Sequence, residues 1–111
     1  MDKLDLYRRV VTDLIHEYHQ RGCSYEEIEN YPVIDREGDH YQLVRDGWRN
    51  NYRHYGPVLH FDLKNGKIWV RHNGTEDDIA EILVERGVAK QDIVLAFHSP
   101  SLRKHTEYAT S

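Results

Sequence analysis

The stretch LHFDLKNGKIWVRH, residues 59–72, places an Asn-Gly pair between two runs in which apolar and polar residues alternate. Asn65-Gly66 tolerates positive φ at both central positions of a two-residue type I′ turn, whose twist suits paired antiparallel strands. A three-residue loop with glycine in a bulge position is the competing geometry, and it implies a different register. The two-residue loop sets Leu63 opposite Ile68, Phe61 opposite Val70 and Leu59 opposite His72, which gathers one apolar face. A slip by one residue would set those core residues against Lys67, Trp69 and Arg71, so the two-residue register is the one expected. The other face then carries His60, Asp62, Lys67, Trp69 and Arg71 outward, with His60 across from Arg71 and Asp62 across from Trp69.

Patterns on either side extend this hairpin into a domain. Leu4, Tyr7, Val10, Val11, Leu14, Ile15 and Tyr18 recur at spacings of three and four, which predicts a helix over 3–20 with one buried stripe. Asp2 reads as its N-cap, and the RGCS segment ends it with Gly22 as the stop. Residues 25–35 mix Tyr, Ile and Val with acids and Pro32, so a strand there is short or lies at an edge. REGD at 36–39 reads as a turn, HYQLVRDGW as a strand covered mainly on one side, and GWRNN as the next reversal. The run YRHYGPVLHFDL contains Gly56-Pro57, which marks a kink or bulge.

After the hairpin, Thr75 reads as an N-cap with Glu76, Asp77 and Asp78 in the first helical turn. Ile79, Ile82, Leu83 and Arg86 continue the stripe and Gly87 stops it. IVLAF, residues 93–97, suits a strand buried on both faces and central in the sheet, and Leu102 and Tyr108 are available to dock the polar tail. The order predicts one α+β domain over residues 1–111: a largely antiparallel sheet of about five strands, an N-terminal helix and a second helix before the last strand, with the helices on one face.

A chain of 111 residues with 39% hydrophobic and 31% charged residues is sufficient for one core. The formal net charge of -4, without a run of five or six basic residues, disfavours autonomous binding to a phosphate backbone. Eight tyrosines and two tryptophans supply rings of the kind enriched where proteins meet. The lone Cys23 excludes an intramolecular disulfide and a CxxC site. The start MDKLDLYRRVV lacks the basic-then-apolar order of a secretory signal, and no apolar stretch approaches the roughly 18 residues of a bilayer span. A cytoplasmic protein without membrane association is expected.

His60 and Asp62 share one strand face and pair an imidazole with a carboxylate, as a metal site or an oriented base would. Such a site needs more ligands, His72 falls on the opposite face in this register, and no HExxH, facial-triad spacing or Cys cluster completes one. His16 and His19 stand at i, i+3 on a solvated helix face, and the other histidines are scattered. No metal, cofactor or catalytic residue is assigned. Tyr52, Tyr55 and Trp69 beside Arg53 and Arg71 have the makings of a base-stacking surface, but rings packed on cross-strand neighbours and basic stems account for the same residues.

The run HFDLKNGKIWVRHNGTEDDIAEILVERGVAKQDIVLAFHSP, with GDHYQLVRDGW upstream and SLRKHTEYA downstream, resembles the fdxN-element excision controlling factors, the XisI-like proteins of cyanobacteria. The likeness covers nearly the whole chain. Its most specific parts are His60-x-Asp62 through GKIW, the Gly74-Thr75-Glu76 segment, GV through IVL, and Arg103. Asn73 stands where an acid is more usual and Ala89 where Pro is common, both mild departures in loops. The resemblance implies an accessory role in controlling site-specific DNA excision beside a recombinase and a companion XisH-like protein, without catalysis by this chain. The expected partner-binding residues are His60, Asp62, Lys67, Trp69, Arg71 and Arg103, with self-association through a strand edge as a further contact. Direct DNA recognition is the alternative role, and a metal-dependent hydrolase built on His60 and Asp62 is a more distant one.

Overall fold

The computed structural model describes residues 2–23 and 25–111. Met1 of the start read above and Ser24 of the RGCS segment lie outside them. The elements are α1 (Lys3–Arg21), β1 (Ile28–Asp35), β2 (His40–Arg49), β3 (Tyr52–Lys64), β4 (Lys67–Asn73), α2 (Ile79–Glu85), a 3-10 turn over Lys90–Asp92, β5 (Ile93–Leu95) and α3 (Pro100–Arg103). The strands form one sheet in the order β1-β2-β3-β4-β5, antiparallel except for the β4–β5 pair. Among the described residues, no helix is long and apolar enough to cross a membrane.

Helix α1 forms as its spacing dictates. Asp2 accepts from Asp5 N–H at the N-terminus, and Gly22, at φ 74°, closes the other end. Tyr7, Val10, Val11, Leu14, Ile15 and Tyr18 are all buried, packing on Tyr41, Leu43, Leu59, Phe61, Leu63, Ile68 and Val70 of the sheet. Ile79, Ala80 and Leu83 of α2 join the same cluster, so both longer helices cover one face. Where the buried tyrosines reach the rim, their hydroxyls find carboxylates: Tyr7 donates to Asp92 at 2.6 Å, Tyr41 to Asp39 at 2.9 Å, and Tyr18 to Asp77. These bonds satisfy the one polar atom of each ring, and those of Tyr7 and Tyr18, with Arg8 on Asp39, tie α1 to three separate loops.

The Asn65-Gly66 turn is of two residues, with φ 55° and 75°, and Lys64 faces Lys67 across it. Leu63 pairs with Ile68, Phe61 with Val70, and Asp62 with Trp69, as the alternation requires. Beyond Phe61 the expected register fails, because His60 pairs with His72 and Leu59 with Asn73. Arg71 is therefore an extra, bulged residue, not the partner of His60, and Leu59 does not oppose His72. A second bulge lies between the Leu43–Leu59 and Val44–Pro57 pairs, where Val58 is the extra residue next to the Gly56-Pro57 kink.

Three further expectations are corrected. Thr75 does not cap α2: its amide and hydroxyl turn back to Asn73 Oδ1, and Asp78 takes the cap by accepting from Glu81 N–H. The helix thus begins at Ile79, and Asp77 is freed to meet Tyr18 and Arg21. The IVLAF strand is three residues long and lies at the sheet edge, not its centre. Ile93 joins the helix-side core, and on the other face the tail covers Val94, since Ala109 N–H donates to Ile93 C=O at 2.9 Å and Ala109 bridges to Val94. Leu102 stays exposed, whereas Ala109 is buried and Tyr108 packs on the core.

Leu14 sits at the centre of the helix–sheet contact and is 1% exposed. Leu14→Ala is expected to lower unfolding stability by about 3 kcal/mol, read as a lower urea midpoint with an unchanged slope. A midpoint equal to wild type would contradict the packing described.

Candidate functional site

Alternation along the strands places one set of side chains on the sheet face opposite α1 and α2. Asp62 of β3 is paired on that face with His40 of β2 and with Trp69 of β4. Its carboxylate is buried yet fully engaged. Oδ1 lies 2.8 Å from His40 Nδ1 and 2.9 Å from His60 Nε2, and Oδ2 accepts from Arg71 Nε at 2.9 Å. The bulge gives Arg71 its place in this set despite its lack of a cross-strand partner. His40, from the start of β2, is the member that reading the β3–β4 hairpin alone misses. The alternation of Tyr41 with Phe61 on the core face, projected onto the neighbouring strand, is the signal that would have found it.

Burial pushes the Asp62 carboxyl upward, but the bonds from His40, Arg71 and His60 outweigh that and hold it below its ordinary 3.8. The same bond to Asp62, with the charge behind it, raises His40 above 6.5. A buried anion with donors on both oxygens is a structural junction of three strands, not a free docking group.

Trp69 is likewise interior. It is 8% exposed, packs with Val94, Ala96 and Ala109, and donates from its indole nitrogen to Lys64 C=O at 3.2 Å. The guanidinium of Arg71 stands 5.0 Å, and that of Arg103 5.7 Å, from its ring centroid. Arg103 also donates to the carbonyls of His98, Ala96 and Thr110, and Lys67 donates to Ser111 C=O. Lys67, Trp69 and Arg103 thus form a clasp that holds the C-terminal segment on the sheet. The expectation that Asp62 and Trp69 point outward is corrected: α3 and the tail cover this end of the face. His60, Asp62 and Arg71 do converge, with Trp69 beside them.

Exposed rings lie farther along the same face. Strand β4 ends opposite Leu59, so the distal half of the β2–β3 hairpin projects past it with β1 as its neighbour. The register puts Tyr31, Val33, Trp48, Arg53 and Tyr55 on that face. Trp48 is 60% and Tyr55 64% exposed, and the Arg53 guanidinium lies 5.6 Å and 5.1 Å from their ring centroids. Arg53 is held in place by Asp46 and by Gly47 C=O. On the reverse side of the tip, Arg49 stacks 3.4 Å over Tyr25, and Tyr52 is 73% exposed. Asn50 and Asn51, both at positive φ, close this hairpin.

Two consequences are measurable. Because Trp69 fills an interior cluster, Trp69→Ala is expected to cost about 3 kcal/mol of stability in denaturant unfolding. Because His40 is raised on folding, its contribution is fully present below pH 6.5 and is lost as pH rises through its higher folded value. The thermal midpoint of wild type should therefore fall relative to that of His40→Gln as pH rises above 6.5. Parallel midpoint profiles would show that the His40–Asp62 contact carries no such linkage.

No match was found to a curated protein. A XisI-like protein from Anabaena variabilis ATCC 29413 is similar over 99% of this chain and 100% of its own, with 36% identity and a TM-score of 0.91. The fdxN element excision controlling factor XisI from the same organism is similar over the same shares, with 32% identity and a TM-score of 0.87. Residues 1–110 match the family model described as XisI protein, and the chain belongs to the XisI family.

Proposed function

We propose that this chain is an accessory factor of the excision-controlling type, without catalysis of its own, which regulates site-specific DNA excision by binding a protein partner. The partner expected is a XisH-like companion or a component of the recombinase machinery. The observation that carries this reading is the uncovered aromatic surface on the β1–β2–β3 end of the sheet. Trp48 and Tyr55 flank a guanidinium already fixed by Asp46, so rigid rings and an ordered cation are presented together. Aromatic and arginine anchors at the centre of a contact are the residues that dominate protein association. Tyr31 and Val33 widen the apolar area toward the β1 edge. That edge is also where a second copy of the chain would add. Family membership supports the excision context, because one similar solved structure is that of an fdxN element excision controlling factor.

The arginine-flanked rings also favour one second reading, direct stacking on exposed bases. The charge balance weighs against it: the net charge is -4, and Arg53 is neutralised by Asp46.

Co-expression with a XisH-like protein is expected to yield a complex that survives purification at micromolar concentration. Trp48→Ala should weaken it by about 2 kcal/mol, roughly 30-fold, while leaving the fold intact. Failure to co-purify, or an unchanged affinity in Trp48→Ala, counts against this surface. A salt-dependent association with element-end DNA at about 50 mM salt, lost at higher salt, would favour the second reading instead.

A further inference from the structure

We propose that His40, His60 and Asp62 form a binding site for a divalent first-row transition-metal ion, with His40 Nδ1, His60 Nε2 and Asp62 Oδ1 as its ligand atoms. The three atoms lie within 4.8 Å of one another, and both nitrogens already point at the same oxygen, at 2.8 Å and 2.9 Å. Ligands about 2.1 Å from an ion, at tetrahedral or octahedral angles, stand about 3.0–3.4 Å apart, so a small opening of the triangle admits the ion. His40 starts β2 and is paired with Asp62 across the β2–β3 ladder, while His60 is two residues from Asp62 on the same strand. Three ligands on two hydrogen-bonded strands need no loop to be ordered before binding.

The donor types select the ion. Two imidazoles and one carboxylate oxygen suit zinc, iron, cobalt, nickel or copper, whereas magnesium and calcium seek oxygen-rich shells. Arg71 Nε occupies Oδ2 at 2.9 Å, which leaves Oδ1 as a monodentate ligand and orients it, as outer partners of ligating carboxylates do. Arg71 also offsets the Asp62 charge, so affinity rests on the imidazoles, and a hard cation gains little.

Space and access fit as well. The His40 side chain is 55% exposed, so water can reach the open coordination positions. At Gly38, in the β1–β2 turn, a Cβ would stand 2.9 Å from His40 Cδ2 and 2.6 Å from Asp35 Oδ2. The absence of a side chain at Gly38 makes room for the ring.

Uptake competes with protonation of the two imidazoles. The groups that set this competition are His40 from β2, His60 and Asp62 from β3, Arg71 from β4, and Asp35 at the end of β1, whose charge also favours the protonated His40.

The test uses the full chain stripped with a chelator and dialysed against Zn2+, with bound metal read by elemental analysis and Co2+ absorption as an independent readout. One ion per chain is expected at micromolar Zn2+ near neutral pH, with weaker uptake at about pH 5.5, where free imidazole is protonated. His40→Gln and His60→Gln should each weaken uptake by about 10-fold or more, and Mg2+ should not compete. A His16→Ala/His19→Ala double variant should bind as wild type. Far-UV circular dichroism accompanies each variant, and the exposed His40 supplies the decisive one if His60→Gln does not fold. Absence of saturable Zn2+ uptake by wild type, or uptake unaltered in folded His40→Gln, overturns the proposal and leaves a purely hydrogen-bonded cluster. Neither result depends on whether a protein partner binds the hairpin tip.

Discussion

Positive φ at both Asn65 and Gly66 locks β3 to β4 in a single register, and each side chain of the central sheet inherits its face from that lock. Moving the pairing by one residue with β3 held on α1 would carry Ile68 and Val70 away from the core and set Phe61 and Leu63 beside Lys67, Trp69 and Arg71. Asp62 would then lose the Arg71 donor on Oδ2, at the cost that leaving a buried carboxylate oxygen unpaired carries. The turn therefore does more than reverse the chain. It decides that the buried anion meets Arg71 as well as the two histidines, and that the indole lies where Arg103 and the tail can cover it.

The sheet face opposite the helices is consequently divided along its width. At the β3–β4–β5 end it is closed by the C-terminal segment, with Trp69, Val94 and Ala109 forming a small second core. At the β1–β2–β3 end it is open, because β4 stops opposite Leu59 and the hairpin continues without it. Asp62 and its partners stand at the boundary. The two bulges, at Arg71 and Val58, lie near this boundary, and each breaks the ladder by one residue. The first turns a basic side chain to the buried carboxylate. The second sits where β3 changes from a strand with neighbours on two sides to the arm of a projecting hairpin.

Much of this was legible from residue order. The stripe of α1, its Asp2 and Gly22 ends, the type I′ turn and the largely antiparallel α+β sheet followed from periodicity and turn chemistry, which are local. The misreadings have one local cause and several non-local ones. Thr75 has the right side chain for a cap, but Asn73 captures it and leaves Asp78 to start the helix. Trp69 falls on the correct face, yet its cover comes from residues more than twenty-five positions later, which no pattern within the hairpin encodes. The bulge at Arg71 is a choice between nearly equivalent pairings and has no glycine to mark it. His40 was missed for a related reason: its approach to Asp62 depends on the β2–β3 register, set through a kinked strand containing Gly56 and Pro57. The exposed patch was partly visible as Arg53 and Tyr55, whereas Trp48 and Tyr31 enter it, and Tyr52 leaves it for the reverse side, only once β1, β2 and β3 are aligned.

The acidic balance of the chain also reads differently once partners are assigned. Asp2 and Asp78 cap helices, Asp39 accepts from Arg8 and Tyr41, Asp92 from Tyr7, and Glu17 holds Arg86 through both oxygens. Asp77 holds Tyr18 and Arg21, and Asp62 is enclosed by its three donors. These carboxylates serve as acceptors for the helix termini, the tyrosine rim and the strand junction, so the net charge reflects internal construction as much as any repulsive exterior. The cations are committed in the same way: Arg8, Arg86 and Arg71 are internal partners, and Arg53 is paired with Asp46. An arginine already neutralised within the domain releases few counterions on meeting a phosphate backbone, and it is the release of counterions that drives such binding. The same arginine, fixed in position between two rings, remains well suited to a protein surface, where shape and desolvation count for more than net charge.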